Sequence, residues 1–217
     1  AVSWIEGRAI GTSGQALQGT DADLHALYVG VGALIAALHD ATDAVLTDDI
    51  QRPAWDADAL LGEEPLWGRF WENPTLTEAE AEILLRAKAR AYDMLVDMEG
   101  ADAGLIHADC LQENILATPA GLALLDFDDA GFGYRTYDLG TALIQHQDNP
   151  RLRLLEDALL EGYATLRTPP PLARLRFFTM LRALASCGWV ISRAAGDTGL
   201  QRRHAERALT CVTRGFA

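Results

Sequence analysis

Between Ile83 and Tyr137 the spacing of the apolar residues changes period twice, and that switch limits the architecture. Ile83, Leu84, Ala87, Ala91, Met94, Leu95 and Met98 recur at the spacing of one helix face, whereas Gly104-Leu105-Ile106, Asn114 to Ala117 and Leu122 to Leu125 are short β-like runs. Thr118-Pro119-Ala120-Gly121 separates the last two as a turn, and from Tyr137 onward the pattern is helical again. The spacing therefore predicts a mainly α, α+β fold in which a small β-hairpin region lies between helical halves. Thr77-Glu78-Ala79-Glu80 reads as a capping box opening a helix over about 78–99, with Gly100 as its stop. Earlier, Thr20 caps a second helix over about 21–39, whose stripe runs through Leu24, Leu27, Tyr28, Val31, Leu34, Ile35 and Leu38. The acidic stretch Asp40 to Glu64, with Arg52 as its single cation and Pro53 and Trp55 interrupting, reads as mostly irregular. Breaks are expected at Asn149-Pro150, Thr168 to Pro171 and Gly196 to Gly199.

A length of 217 residues, 49% of them apolar and 23% charged, suffices for a core without disulfide or metal staples. The net charge of −13 opposes binding to nucleic acid or to an anionic membrane surface. The longest apolar runs, Val29 to Leu38 and Met180 to Ile191, fall short of the roughly 20 residues of a membrane span, so no segment is expected to cross a bilayer. Three widely spaced cysteines, Cys110, Cys187 and Cys211, read as reduced thiols, and with no signal-like start the expected location is cytoplasmic. The arginines of the last quarter, from Arg167 to Arg214, read as solvated helix faces.

The polar residues inside the β region carry the chemistry. His107-Ala108-Asp109 is followed by Asn114 five positions after the Asp, and Asp126-Phe127-Asp128-Asp129 follows directly on an apolar strand. A carboxylate emerging from a buried strand needs compensation, and Mg²⁺, which takes carboxylate and amide oxygens together with substrate phosphates, would find them in Asp126 and Asn114. Asp109, on the intervening loop, is placed to accept a proton from a hydroxyl. The spacing H-x-D-x-x-x-x-N followed by D-F-D is that of a kinase catalytic loop and metal-binding motif.

With Leu125-Asp126-Phe127-Asp128-Asp129-Ala130-Gly131 and then Tyr137-Asp138-Leu139, the chain resembles the aminoglycoside phosphotransferase, choline kinase and type II homoserine kinase family, which has a protein-kinase-like fold. Gly7 to Leu38 also resembles that family's post-hinge loop and first C-lobe helix, ending in Leu38-His39. The resemblance implies ATP and Mg²⁺ as cofactors, Asp109 as catalytic base, Asn114 and Asp126 as metal ligands, and Leu116 as the floor under the adenine. Asp138 would anchor the catalytic loop and His107 would orient it from behind. Residues 1–19 would be hinge and post-hinge loop, and 20–217 the helical C-lobe, with the catalytic loop at 107–114 and the metal motif at 126–131.

Departures from the family pattern are Ala108 where Gly is usual and Leu111-Gln112-Glu113 where His-Pro-Gly is frequent. There is no P-loop, the only lysine is Lys88 in a predicted helix, and Ala1 to Gly7 resembles a hinge, so the chain reads as a C-lobe without its N-lobe. The exposed inter-lobe face would then favour a homodimer. The expected activity is transfer of the γ-phosphate to a hydroxyl of a small molecule, with the acidic stretch attracting an amine-bearing acceptor. Two alternatives are a catalytically inactive kinase-like binding module and a haloacid dehalogenase-like phosphatase, suggested by the strand-then-DxD run at Leu122 to Asp129. His25 and His39 read as structural, Cys110 as passive, and Trp55, Trp67, Phe70 and Trp71 as packing rather than a cation pocket.

Overall fold

The chain passes through β1 (Arg8–Ala9) and turns at Thr20 into α1 (Asp21–Val45), where the Thr20 amide donates to Asp23 Oδ2 at 2.9 Å and the Asp23 amide returns to Thr20 Oγ1 at 3.2 Å. The computed structural model describes residues 4–45, 50–98 and 101–216; Ala1–Ser3 of the expected hinge, Asp48 and Asp49 of the acidic stretch, and Glu99 and Gly100 at the expected helix stop lie outside the described residues. α1 continues past the expected end at His39, because His39 is itself buried and the Thr42 hydroxyl donates to its carbonyl at 3.0 Å. By length and composition Asp21–Ala44 could cross a membrane, but Leu24, Tyr28, Val31 and Ile35 are packed into the core of this fold.

The acidic stretch is more ordered than its composition suggests. It holds β2 (Ala54–Trp55) and α2 (Ala57–Leu61), the latter opened by Asp56, whose carboxylate accepts from the Ala59 amide at 2.9 Å. α3 (Glu78–Val96) starts at the expected capping box, with Thr77 and Glu80 each satisfying the other's backbone amide.

β3 (Ala103–Ile106), β4 (Ile115–Thr118) and β5 (Gly121–Leu124) match the three β-like runs, and β6 (Gly131–Tyr134) follows. They form two three-stranded sheets. In one, β4 pairs antiparallel with both β1 and β5, in the register Ile115 to Leu124 and Thr118 to Gly121. In the other, β6 lies between β2, parallel to it, and β3, antiparallel. β1, β2 and β6 are too short or too glycine-rich to stand out by strand propensity.

Helices follow: α4 (Thr136–Leu143), α5 (Leu152–Tyr163), α6 (Leu172–Arg193) and α7 (Thr198–Gly215), with breaks where Pro and Gly predicted them. One part of the core joins Trp55, Leu84, Leu95, Phe178, Leu184 and Cys211, and the other joins Leu24, Tyr28, Ile35, Leu139, Leu155 and Leu159. α1 and α5 cross with their backbones almost touching: a Cβ on Gly162 would collide with the Val29 carbonyl, and one on Gly32 with the Leu159 carbonyl.

Candidate active site

The loop from β3 to β4 is held from beneath. Asp138, fully buried near the start of α4, accepts the His107 amide at 2.9 Å on Oδ2 and the Ala108 amide at 2.7 Å on Oδ1. His39 Nε2 lies 3.0 Å from the same Oδ2, and His39 Nδ1 lies 2.9 Å from the Tyr163 hydroxyl, so a buried chain runs from α5 through α1 to the loop. Ala108 adopts φ +64°, the left-handed region that glycine enters without strain, which accounts for the family's preference at this position. Buried His107 bridges outward. Its Nε2 meets the Leu125 carbonyl at 2.9 Å and its Nδ1 receives the Asp109 amide at 3.2 Å, an arrangement that fits a proton on Nε2.

The structure brings three of the expected site residues together. Asn114 Nδ2 donates to Asp109 Oδ2 at 2.7 Å and to the Asp109 carbonyl at 2.9 Å. The Leu125 amide donates to the Asn114 carbonyl at 2.8 Å, which places Asp126 beside that loop. Asp126 is exposed rather than buried, so desolvation is not what asks for a cation there. Its backbone instead sits at φ +63°, a sparsely populated state for a residue with a side chain. Among the described residues, neither Asn114 Oδ1 nor the Asp126 carboxylate accepts a hydrogen bond. The free oxygens of an amide and a carboxylate fit a hard divalent cation completed by phosphates. No group of three or more His, Cys, Asp or Glu side chains converges as a metal cluster among the described residues. Leu116, half-buried in β4, pairs with Ala9 of β1 and Ala123 of β5.

Asp109 has a second partner that the sequence did not reveal. Arg182 of α6, 4% exposed, donates from Nη2 to Asp109 Oδ1 at 2.8 Å, binds Ser186 Oγ through Nη1, and lies over the Trp67 ring at 4.6 Å from its centre. The expectation of solvated arginines fails here, and Arg135, just ahead of α4, is likewise buried, against Asp43 and Asp102. A usable signal existed: Leu181, Ala183, Leu184 and Ala185 flank Arg182 in the middle of its helix, and a cation within so apolar a run needs a carboxylate. Asp129, half-buried near these groups, has its carboxyl pushed up by burial and then by the Asp109 charge.

The remaining candidates settle into supporting places. Trp55 and Phe70 are core residues, and the ring faces of Trp67 and Trp71 are taken by Arg182 and Lys88. Most acids of the 40–64 stretch are engaged locally: Asp43 with Arg135 and Arg167, Asp58 with the Tyr92 hydroxyl, Glu63 with Lys88, Glu64 with Arg69. Its single cation, Arg52, donates to the carbonyls of Phe127 and Asp128 at 3.1 and 3.2 Å. The departing residues Gln112 and Glu113 tie the loop to its surroundings, through Thr12 O at 2.8 Å and Gln145 Nε2 at 2.9 Å. Burial, with Asp138 and Asp109 nearby, holds the Cys110 thiol well above its usual range. His25 meets Glu161 at 3.1 Å on the surface.

A family model described as the phosphotransferase enzyme family, APH, matches residues 1–193. The chain belongs to this family. A Deinococcus radiodurans protein described as uncharacterized is 36% identical to this phosphotransferase-family chain over 214 residues, covering 92% of the chain and 59% of the relative. The chain thus spans well under two thirds of that relative's length. A solved microcompartment-associated aminopropanol kinase superposes with a TM-score of 0.76 at 28% identity, over 91% of this chain and 65% of that one. Two further structures share the fold at lower identity. They are an amicoumacin kinase in complex with AMP-PNP and Ca²⁺ (TM-score 0.65, 20% identity, 88% of this chain and 61% of that one) and a choline/ethanolamine kinase family protein from Mesorhizobium loti (0.64, 15%, 90% and 64%). After β6 the described chain has only helices, without the alternating strands and helices that a haloacid dehalogenase-like phosphatase requires.

Proposed function

We propose that the chain forms the catalytic lobe of an ATP- and Mg²⁺-dependent kinase that phosphorylates a hydroxyl of a small molecule. The observation that carries this reading is the cluster of Asp109, Asn114 and Asp126, joined by the Asn114 side chain and the Leu125 amide, with Asn114 Oδ1 and the Asp126 carboxylate left free. Family membership and the likeness to an aminopropanol kinase support the same chemistry, and that likeness favours an amine-bearing acceptor.

In this reading Asp109 is the base that takes the acceptor's proton, and its Oδ2 is oriented by the Asn114 amide at 2.7 Å. Asn114 Oδ1 and the Asp126 carboxylate hold Mg²⁺, and Leu116 lies under the adenine. When bound, the ion supplies neutralisation of the phosphate charge. Asp138 and His107 fix the loop, so that the Asp109 carboxylate is presented without reorganisation. Residues 20–217 are read as the C-lobe, preceded by the hinge and post-hinge loop; the relatives extend beyond the part that this chain matches.

The test is titration calorimetry with Mg-ATP, together with an ADP-release assay, on the protein expressed from its complete reading frame. Asp126→Asn should weaken Mg-ATP binding at least about tenfold. Asp109→Asn should bind Mg-ATP as the parent does and lose about 10²- to 10⁴-fold in transfer. A parent protein that binds no Mg-ATP, or an Asp126→Asn variant that binds it equally well, refutes the kinase reading and leaves the binding module.

A further inference from the structure

We infer that Arg182 is a positioning residue for phosphoryl transfer, clamping Asp109 from α6; the inference rests on the kinase reading of this site. Asp109 has two oxygens and they are held from opposite sides, Oδ2 by Asn114 at 2.7 Å and Oδ1 by Arg182 at 2.8 Å. The Asn114 contact comes from the same loop, five residues away, and cannot by itself fix the loop against the body of the fold. The Arg182 contact can, because it reaches across 73 residues from the middle of α6, which is buried throughout from Phe177 to Gly188.

The clamp is itself anchored on one face and at its tip. The guanidinium plane lies on the Trp67 ring, and Nη1 binds Ser186, whose hydroxyl in turn donates to the Arg182 carbonyl at 2.9 Å. Such stacking with simultaneous fork contacts is within reach of arginine and not of lysine. Arg182 Nε, buried, has no partner. On the planar fork it shares an edge with Nη2, so the edge that faces Asp109 is only half used. A cation placed here for stability alone would be expected to satisfy its carboxylate through both arms. One arm on the carboxylate and one idle donor fit a contact whose purpose is to aim Oδ1 while leaving its second lone pair to the acceptor hydroxyl.

The test compares the parent protein, from its complete reading frame, with Arg182→Ala and Arg182→Lys. ADP release from Mg-ATP is followed with aminopropanol as acceptor and with water alone, and kcat is normalised to sites that bind Mg-ATP. Arg182→Ala is expected to lose about 10²-fold in kcat with KM for Mg-ATP within about twofold, since misplacing a reacting group by an ångström costs that much. Millimolar guanidinium should restore part of the loss, and Arg182→Lys should fall between the two. A kcat per site within threefold of the parent overturns the inference. So does a loss that neither guanidinium nor lysine recovers and that tracks a lowered melting temperature, which is the signature of a structural arginine. Should Arg182→Ala not fold, Arg182→Lys decides: a reduced kcat at unchanged melting temperature supports the clamp, and an unchanged kcat overturns it. A parent without transfer to either acceptor, but with Mg-ATP binding, removes the clamp; a parent without Mg-ATP binding removes the kinase reading first.

Discussion

Asp138 accepts the Ala108 amide at 2.7 Å from thirty residues further along the chain, and the same carboxylate receives the His107 amide and faces His39. Both partners and the carboxylate are buried, so water cannot replace what is removed. Asp138→Ala is therefore expected to lower unfolding stability by about 3 kcal/mol or more, leaving two amides and an imidazole without an acceptor. Urea denaturation gives the value; a loss under about 1 kcal/mol would show that the loop holds itself.

Buried His146 and half-buried His204 predict how the fold responds to mild acid. Burial, with Arg207 adding to it, pushes His146 from 6.5 down to about 4, and burial with Arg207, Arg182 and Arg203 pushes His204 down to about 4. In that interval the unfolded chain binds protons that the folded chain does not, so stability is complete above about pH 6.5 and is lost as pH falls towards 4. The urea midpoint should decline over this range, and His146→Gln with His204→Gln should flatten the slope whatever it does to the absolute midpoint.

A second step lies lower. Arg202 and the Thr77 amide hold the Glu80 carboxyl down to about 2 from 4.5, a depressed value whose contribution is present above about pH 4.5 and lost as pH falls towards 2. Arg202→Met should remove most of the pH dependence between those limits, as followed by circular dichroism. An unaltered acid transition would assign it to other carboxylates.

How much of this was legible depended on whether the information was local. The Thr77 and Glu80 capping box and the Thr118 to Gly121 turn are decided within four residues, and both are found where the sequence put them. The order of Asp109, Asn114, Asp126 and Asp138 was legible as spacing, and the fold brings the first three together over the fourth. Arg182 and Arg135 were not, since the carboxylates that hold them lie 73 residues away for Arg182 and 33 and 92 for Arg135, and a helical arginine such as Arg182 reads as solvated by default. Asp56 was overlooked for a different reason: as one acid among many its capping position was masked by composition. The left-handed backbone at Asp126 is marked by no local pattern: aspartate enters that region more readily than most residues, but nothing in the sequence singles this one out.

The contact between α1 and α5 makes its own prediction. Gly162→Ala places a methyl against the Val29 carbonyl, and relief requires the two helices to separate. Stability should fall by about 1 to 3 kcal/mol, read from the urea midpoint, and a neutral effect would mean that the crossing is looser than drawn.

Tyr163 is the next residue after Gly162, and it reaches His39 at 2.9 Å across that same crossing. Because no side chain separates the backbones there, the crossing acts as a gauge block with no adjustable shim, and the tolerance it sets is passed along Tyr163, His39 and Asp138 to the loop that carries Asp109. Two hydrogen atoms, in place of side chains at Gly32 and Gly162, thereby fix a dimension of a site built from other parts of the chain.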